Sequence, residues 1–122
     1  MKKLKVVVYC RIVDKHMRDL LDYQEQKLTD LLGYFDTQVI EVVKEVSRGL
    51  NFCSYGMQKL IHYIINEQID AVIVYDNTRV AIYDDLLVEF KMICDMHNIE
   101  VFDMSDLVTM IFTNSILESC DE

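Results

Sequence analysis

The run KVVVYCRIV, residues 5–13, contains the stretch that decides the fold. Val6 to Tyr9 is an unbroken series of β-branched and aromatic side chains, and a second such run, AVIVY, occupies Ala71 to Tyr75. Apolar runs of this kind are typical of strands that are buried on both faces of a parallel sheet. These two runs are therefore predicted to be the central strands.

Amphipathic segments lie between and after these runs. A helix is predicted from Met17 onward with its C-cap at Gly33, and Thr37–Val43 and Val101–Phe102 are strand-like. Ser105 is predicted to be the N-cap of a last helix. The alternation predicts one α/β domain of three layers, with a mainly parallel four- to five-stranded sheet and helices on both faces. The apolar positions of the second helix are Met57, Leu60, Ile61, Ile64 and Ile65. Those of the third helix are Leu86, Leu87, Phe90, Ile93 and Cys94.

Composition favours a single globular domain over residues 1–122. Apolar residues make up 52% of the chain, charged residues 27%, and there is no proline to mark a linker. The longest apolar runs are far below the roughly 18 residues of a membrane span, and no signal-peptide pattern is present, so a cytoplasmic protein that avoids membranes is expected. Four cysteines without a CxxC pair predict free thiols.

Charge and metal-ligand spacing narrow the function classes. The formal net charge is −9, which opposes the approach of DNA, so only weak DNA binding through a local basic patch is left open. His16, His62 and His97 are far apart and none pairs with a cysteine at ligand spacing, so no metal site is expected. Three isolated glycines exclude a glycine-rich phosphate loop, and no cofactor is expected.

Several motifs follow one another in a fixed order. They are Tyr9–Val13, Gln24, Arg48–Phe52, Gly56–Leu60 and Thr78–Tyr83. In order and spacing they resemble the catalytic domain of serine recombinases (resolvases and invertases), and most of all the small transposon resolvases of the insertion-sequence type. The resemblance implies a resolvase-like fold. The family carries a separate DNA-binding domain, and none is expected within residues 1–122.

The resemblance also implies a set of active-site positions. In that family a serine attacks a DNA phosphodiester, arginines bind the phosphate and an aspartate supports the site. Arg11 and Arg79 match two of the arginines and are candidate phosphate-binding residues. Val13 stands at the serine position, Thr78 at the aspartate position and Ile82 at a third arginine position. Because valine offers no oxygen, no active catalytic residue is expected.

Three functions follow from this pattern. The first is a catalytically degenerate recombinase-like domain that acts by protein interaction or regulates a recombinase. The second is an active recombinase domain with a non-standard nucleophile, or one completed in an oligomer. The third is an anion-binding module that uses Arg11 and Arg79, an idea that fails if these arginines pair with Asp14, Asp76 or Asp84.

Other nucleophiles and folds are less well supported by the residues. Strand alternation places Cys10 on the face opposite to Arg11, so a buried structural cysteine is predicted. Thr78 has a hydroxyl, but the sequence shows no general base beside it. Asp76 follows a strand as in response-regulator receivers, yet the first strand ends in Cys10-Arg11 where a receiver needs an acidic pair.

The last helix is the candidate interaction surface. The resemblance implies dimerisation through a long helix after the fourth strand, here through Leu107, Met110 and Ile111. Self-association or pairing with a related recombinase is therefore expected. The same apolar side chains could instead pack on the sheet of their own domain, and the sequence leaves that alternative open.

Overall fold

The computed structural model describes residues 3–80 and 83–120, with side chains described up to residue 113. Four strands alternate with four α-helices, and two short 3₁₀ turns, Lys15–Met17 and Asn77–Arg79, follow the first and third strands. The elements are β1 Leu4–Ile12, α1 Asp19–Leu32, β2 Thr37–Val46, α2 Tyr55–Ile65, β3 Ala71–Val74, α3 Asp84–Met96, β4 Glu100–Phe102 and α4 Met104–Cys120.

The strands form one parallel sheet in the order β2-β1-β3-β4. The central strands β1 and β3 are the two apolar runs, and their residues from Val6 to Cys10 and from Ala71 to Val74 are buried. Strand β2 lies at an edge, which explains why charged residues interrupt its apolar ones. The predicted α/β class and parallel sheet are confirmed, with four strands.

The sheet is covered by a hydrophobic core on each face. Val7, Tyr9 and Val72 point to one face, where they pack against buried side chains of α2 and α3. Val6 and Val8 point to the other face and pack against α1 and α4. The predicted three-layer architecture is therefore confirmed. Of the described residues, no helix combines the length and the apolar character that a bilayer span requires.

Two details of the helices differ from the sequence-based expectation. The last helix begins at Met104, and its cap is Asp103 rather than Ser105. Asp103 Oδ1 accepts from Asp106 N at 2.8 Å, and Asp106 Oδ2 accepts from Asp103 N at 3.0 Å. This reciprocal capping box satisfies two backbone donors, and Ser105 lies inside the helix. Ile65, predicted to be on the apolar stripe of α2, is 54% exposed, although Ile64 beside it is buried in the core.

The interaction surface predicted on α4 is wrong at Leu107. That side chain is only 2% exposed and belongs to the core formed with α1 and the sheet. Met110 and Ile111 are half-buried, whereas Val108 and Phe112 are exposed. The first turns of α4 therefore pack on their own domain through Leu107, and a different set of apolar side chains faces outward.

Candidate functional site

Arg11 lies at the carboxyl end of β1 and is only 2% exposed. Its Nε donates to the carbonyl of Arg79 at 2.8 Å, and Nη1 donates to the carbonyl of Ser47 at 2.7 Å. Nη2 donates to the carbonyl of Thr78. Burial lowers the pKa of the guanidinium from its ordinary value. Arg11 thus joins the end of β1 to the segments that follow β2 and β3.

Gly49 allows the loop after β2 to pass close to this guanidinium. Its φ of +71° is a left-handed backbone conformation, which glycine adopts without strain. A Cβ at this position would lie 2.7 Å from Arg11 Cζ. Glycine is therefore required here for two separate reasons, the backbone conformation and the space.

Gln24 of α1 is 1% exposed, and its side-chain amide forms hydrogen bonds with both the backbone N–H and the backbone carbonyl of Arg11. Its Oε1 accepts from Arg11 N at 3.3 Å, and its Nε2 donates to Arg11 O at 3.2 Å. The pairing of β1 with β3 ends at Tyr9 and Val74. The Gln24 amide therefore supplies the partners that a neighbouring strand would otherwise give, and it ties α1 to the end of β1.

Arg79 is the more open of the two arginines. Its side chain is 25% exposed, and its Nη1 donates to Arg11 O at 3.4 Å. Its Nε lies 3.8 Å from Asp76 Oδ2 and, among the described residues, makes no hydrogen bond. The guanidinium also lies 5.9 Å from the centre of the Tyr75 ring. Arg79 can still offer donors to an anion, but it does so beside the Asp76 carboxylate.

Thr78 has a carboxylate beside its hydroxyl, contrary to the expectation from sequence. Its hydroxyl and its backbone N both donate to Asp76 Oδ1, the latter over 3.0 Å. Asp76 is the N-cap of the short turn that contains Thr78. The interaction was missed because a carboxylate two residues before a threonine closes on it only when the chain turns there.

The remaining family positions are less informative. Val13 follows β1 and is 52% exposed, with an apolar side chain where the family has its nucleophile. Ile82 lies outside the described residues. The structure therefore brings Arg11, Thr78 and Arg79 together at one edge of the sheet. The phosphate-binding role of Arg11 and Arg79 stays a prediction, and the ion pair of Arg79 with Asp76 counts against the anion-binding module. Asp14, which the sequence analysis considered as a partner of the arginines, accepts a hydrogen bond from His16 N at 2.9 Å as the cap of the first 3₁₀ turn.

Cys10 is buried on the sheet face opposite to Arg11, as predicted. Burial raises the pKa of its thiol to about 12, which keeps it protonated at neutral pH. A protonated thiol packed in the core is a structural residue and cannot replace the missing serine.

Glu45 is a residue of this region that the sequence analysis missed. Its Oε2 accepts from the Tyr9 hydroxyl and, at 2.9 Å, from Ser54 Oγ, while its Oε1 accepts from Gly56 N at 3.0 Å. Burial, followed by this carboxylate, raises the pKa of Tyr9 far above its ordinary value. A Cβ on Gly56 would lie 2.5 Å from Glu45 Cδ. The sequence carried one signal for these contacts: an acidic residue in an apolar strand, followed by the N-cap Ser54 and by Gly56.

The histidines stay separate in the structure. His62 is exposed, and His97 Nδ1 lies 3.2 Å from Glu67 Oε1. Within residues 3–80 and 83–120, no three histidine, cysteine or acidic side chains are gathered as a metal site would require.

The fold is shared with the catalytic domains of serine recombinases. One similar structure is the C-terminal catalytic domain of ISC1926 TnpA, an IS607-like serine recombinase, with a TM-score of 0.77 at 19% identity over 90% of this chain and 79% of that one. The N-terminal catalytic domain of TP901-1 integrase gives 0.72 at 21% identity over 97% and 99%. A serine recombinase from Sulfolobus solfataricus gives 0.70 at 24% identity over 97% and 82%. No protein-family model matches the chain.

These similarities define the class of the domain. The chain has the fold of a serine recombinase catalytic domain, and the resemblance first carried by the motifs is confirmed at the level of the fold. At these identities the likeness concerns architecture, so the activity of the chain is argued below from its own side chains.

Proposed function

We propose that this chain is a recombinase-fold domain that no longer transfers phosphoryl groups and acts through protein contacts. The proposal is carried by the position of Val13, two residues after Arg11, where its apolar side chain is exposed at the carboxyl end of β1. Covalent phosphoryl transfer needs an oxygen or sulfur nucleophile, and valine supplies neither.

The arrangement of the arginines supports the same proposal. The guanidinium of Arg11 donates to three backbone carbonyls and is withdrawn from solvent. A donor aimed at developing negative charge is worth about 2.7–4 kcal/mol in a preorganised site, and this one is committed elsewhere. Arg79 alone, with Asp76 beside it, is a weak clamp for a phosphodiester.

A surface for protein contact lies between α1 and α4. An apolar groove of about 230 Å³ is present there, with the ring of Phe112 66% exposed and that of Tyr34 73% exposed. The groove is lined by Leu31, Tyr34, Val108, Ile111 and Phe112. We propose that a second copy of this chain, or a related recombinase, covers this groove.

The expected cytoplasmic location stays a prediction.

The catalytic part of the proposal is tested with supercoiled plasmid and with labelled duplex DNA. The wild-type chain is expected to leave both intact, with and without Mg²⁺. The triple variant Val13→Ser, Thr78→Asp, Ile82→Arg restores the family residues, and nicking by this variant alone would support the proposal by assigning the loss of activity to these three positions. Nicking by the wild-type chain would overturn the proposal.

The contact part is tested by sedimentation velocity over a range of concentrations. Phe112→Glu is expected to shift the chain to monomer. Tyr55→Glu is the matched control, because Tyr55 is 82% exposed on α2, on the other side of the sheet. A wild-type chain that stays monomeric at every concentration would contradict self-association.

A second candidate function is favoured by the contact between Thr78 and Asp76. A threonine hydroxyl that donates to a carboxylate, next to an arginine, has the elements of an activated nucleophile. In this hypothesis Thr78 Oγ1 attacks the phosphorus and passes its proton to Asp76. The bond from phosphorus to the sugar oxygen then breaks, the leaving oxygen takes a proton from water, and a phosphothreonyl link is left.

This alternative predicts DNA nicking that Thr78→Ser preserves and Thr78→Val abolishes. Binding to labelled duplex should also weaken steeply with salt, because each phosphate contact releases counterions. Absence of nicking by the wild-type chain across metals and DNA forms would remove the hypothesis.

A further inference from the structure

Helix α3 carries an exposed apolar stripe on the side opposite to the core. The stripe consists of Val88, Met92 and Met96, which are 58%, 59% and 76% exposed and follow one another at i, i+4 and i+8. The same helix buries Phe90 and Cys94 against the sheet and α2. Single exposed apolar residues are ordinary, whereas three aligned on one helix face form a continuous surface.

Acidic side chains border this stripe. At 100° per residue, Glu89 lies about 20° beyond one border of the stripe, and Asp95 lies about 20° beyond the other. Asp85 precedes Val88 by one turn, in line with the stripe, and all three acidic residues are exposed. Lys91 is the one basic residue of α3. The apolar stripe is thus framed by negative charge.

We infer that the α3 stripe is a docking site for a basic amphipathic helix of a partner protein. Such a helix would place its apolar face on the methionines and valine, and its flanking lysines or arginines on Glu89 and Asp95. Methionine side chains suit this role because they are flexible and adapt to different apolar partners. The negative charge of the whole chain also attracts a basic partner.

A second copy of the same stripe does not fit this surface. A two-fold contact pairs a patch with itself, so it would bring the acidic borders of both copies together. The stripe lies on the sheet face covered by α2 and α3, whereas the groove proposed for self-association lies between α1 and α4. The inference is therefore independent of the proposed function.

The first test uses a short fluorescent helical peptide of leucine and lysine in amphipathic order, titrated with the full chain. We expect binding that Met92→Gln together with Met96→Gln weakens at least about tenfold, since truncating a central apolar contact commonly has this effect. Tyr55→Gln is the control, because it removes an exposed apolar group from α2 that belongs to neither proposed contact surface, and it should change the dissociation constant less than about twofold. Circular dichroism confirms that the variants are folded.

The second test separates local charge from total charge. Glu89→Gln with Asp95→Asn is expected to weaken binding about three- to tenfold at low salt. Asp19→Asn with Asp36→Asn removes the same charge from exposed positions elsewhere, and it should have little effect. Equal weakening by the two pairs, or no peptide binding below about 1 mM, would overturn the inference. Concentration-dependent dimers that are lost in the methionine variant would also overturn it.

Discussion

Gly49→Ala is expected to be one of the most destabilising single-methyl additions to this domain. An alanine held at the φ of +71° costs about 1–2 kcal/mol in backbone strain. Its Cβ would also lie 2.7 Å from Arg11 Cζ, so the guanidinium must move. Loss of one hydrogen bond from a charged donor costs about 1.5–3 kcal/mol. We therefore expect a loss of about 2.5–5 kcal/mol, a large part of the 5–15 kcal/mol that is typical of a domain.

Urea unfolding followed by circular dichroism measures this loss. Gly33→Ala is the matched control, because Gly33 has an ordinary helical φ of −61° and its change should stay within about 1 kcal/mol. A double-mutant cycle with Arg11→Met separates the two causes. In that background the clash is gone, and Gly49→Ala should cost only the strain of about 1–2 kcal/mol. Wild-type stability in Gly49→Ala, or an equal cost in both backgrounds, would refute the reasoning.

Four further predictions concern the same edge of the sheet and the cysteines. Gly56→Ala should cost about 2–4 kcal/mol in urea unfolding, because its Cβ would lie 2.5 Å from Glu45 Cδ and displace the partner of the buried Tyr9 hydroxyl; an unchanged urea midpoint would contradict this. Gln24→Leu should cost about 1–3 kcal/mol, since it leaves Arg11 N without a partner and leaves Arg11 O only the 3.4 Å contact with Arg79 Nη1, whereas Gln68→Leu at an exposed position should be nearly neutral. Burial raises the pKa of the Cys10 and Cys94 thiols from 9.0 to about 12, so the unfolded chain loses these protons first and stability should fall as pH rises from about 9 towards 12. Of Cys10, Cys53 and Cys94, only the exposed Cys53 should react with iodoacetamide in the native state at pH 8, as read by mass spectrometry; rapid labelling of Cys10 would show that its burial is wrong.

The central strands and the class of fold could be predicted because they depend on local pattern. The apolar runs of β1 and β3 are long enough to require burial on both faces, and the helices between them show the helical period. Strand β2 was predicted to end at Val43 but continues to Val46. As an edge strand, β2 tolerates the charged residues Lys44 and Glu45. Because these residues interrupt the apolar pattern, the sequence did not predict that the strand continues to Val46.

The contacts of the candidate site could be predicted only in part. The motifs identified the positions of Arg11 and Arg79, but the carbonyl partners of Arg11 are backbone groups, which leave no mark in the sequence. Glu45 and Gln24 reach their partners across the fold, 36 and 13 residues away from Tyr9 and Arg11. Spacing along one helix or strand carries no information about such contacts. The burial of Leu107 depends likewise on how α4 leaves β4.

The position of Arg11 between the loops that follow β2 and β3 has a consequence for folding kinetics. Its carbonyl partners lie 36, 67 and 68 residues further along the chain. Because distant segments must be brought together before such contacts form, the Arg11 interactions should arise after the transition state for folding. Substitution of Arg11 should then accelerate unfolding and leave the folding rate nearly unchanged. The buried arginine would thus govern how long each folded molecule persists, rather than how quickly it is made.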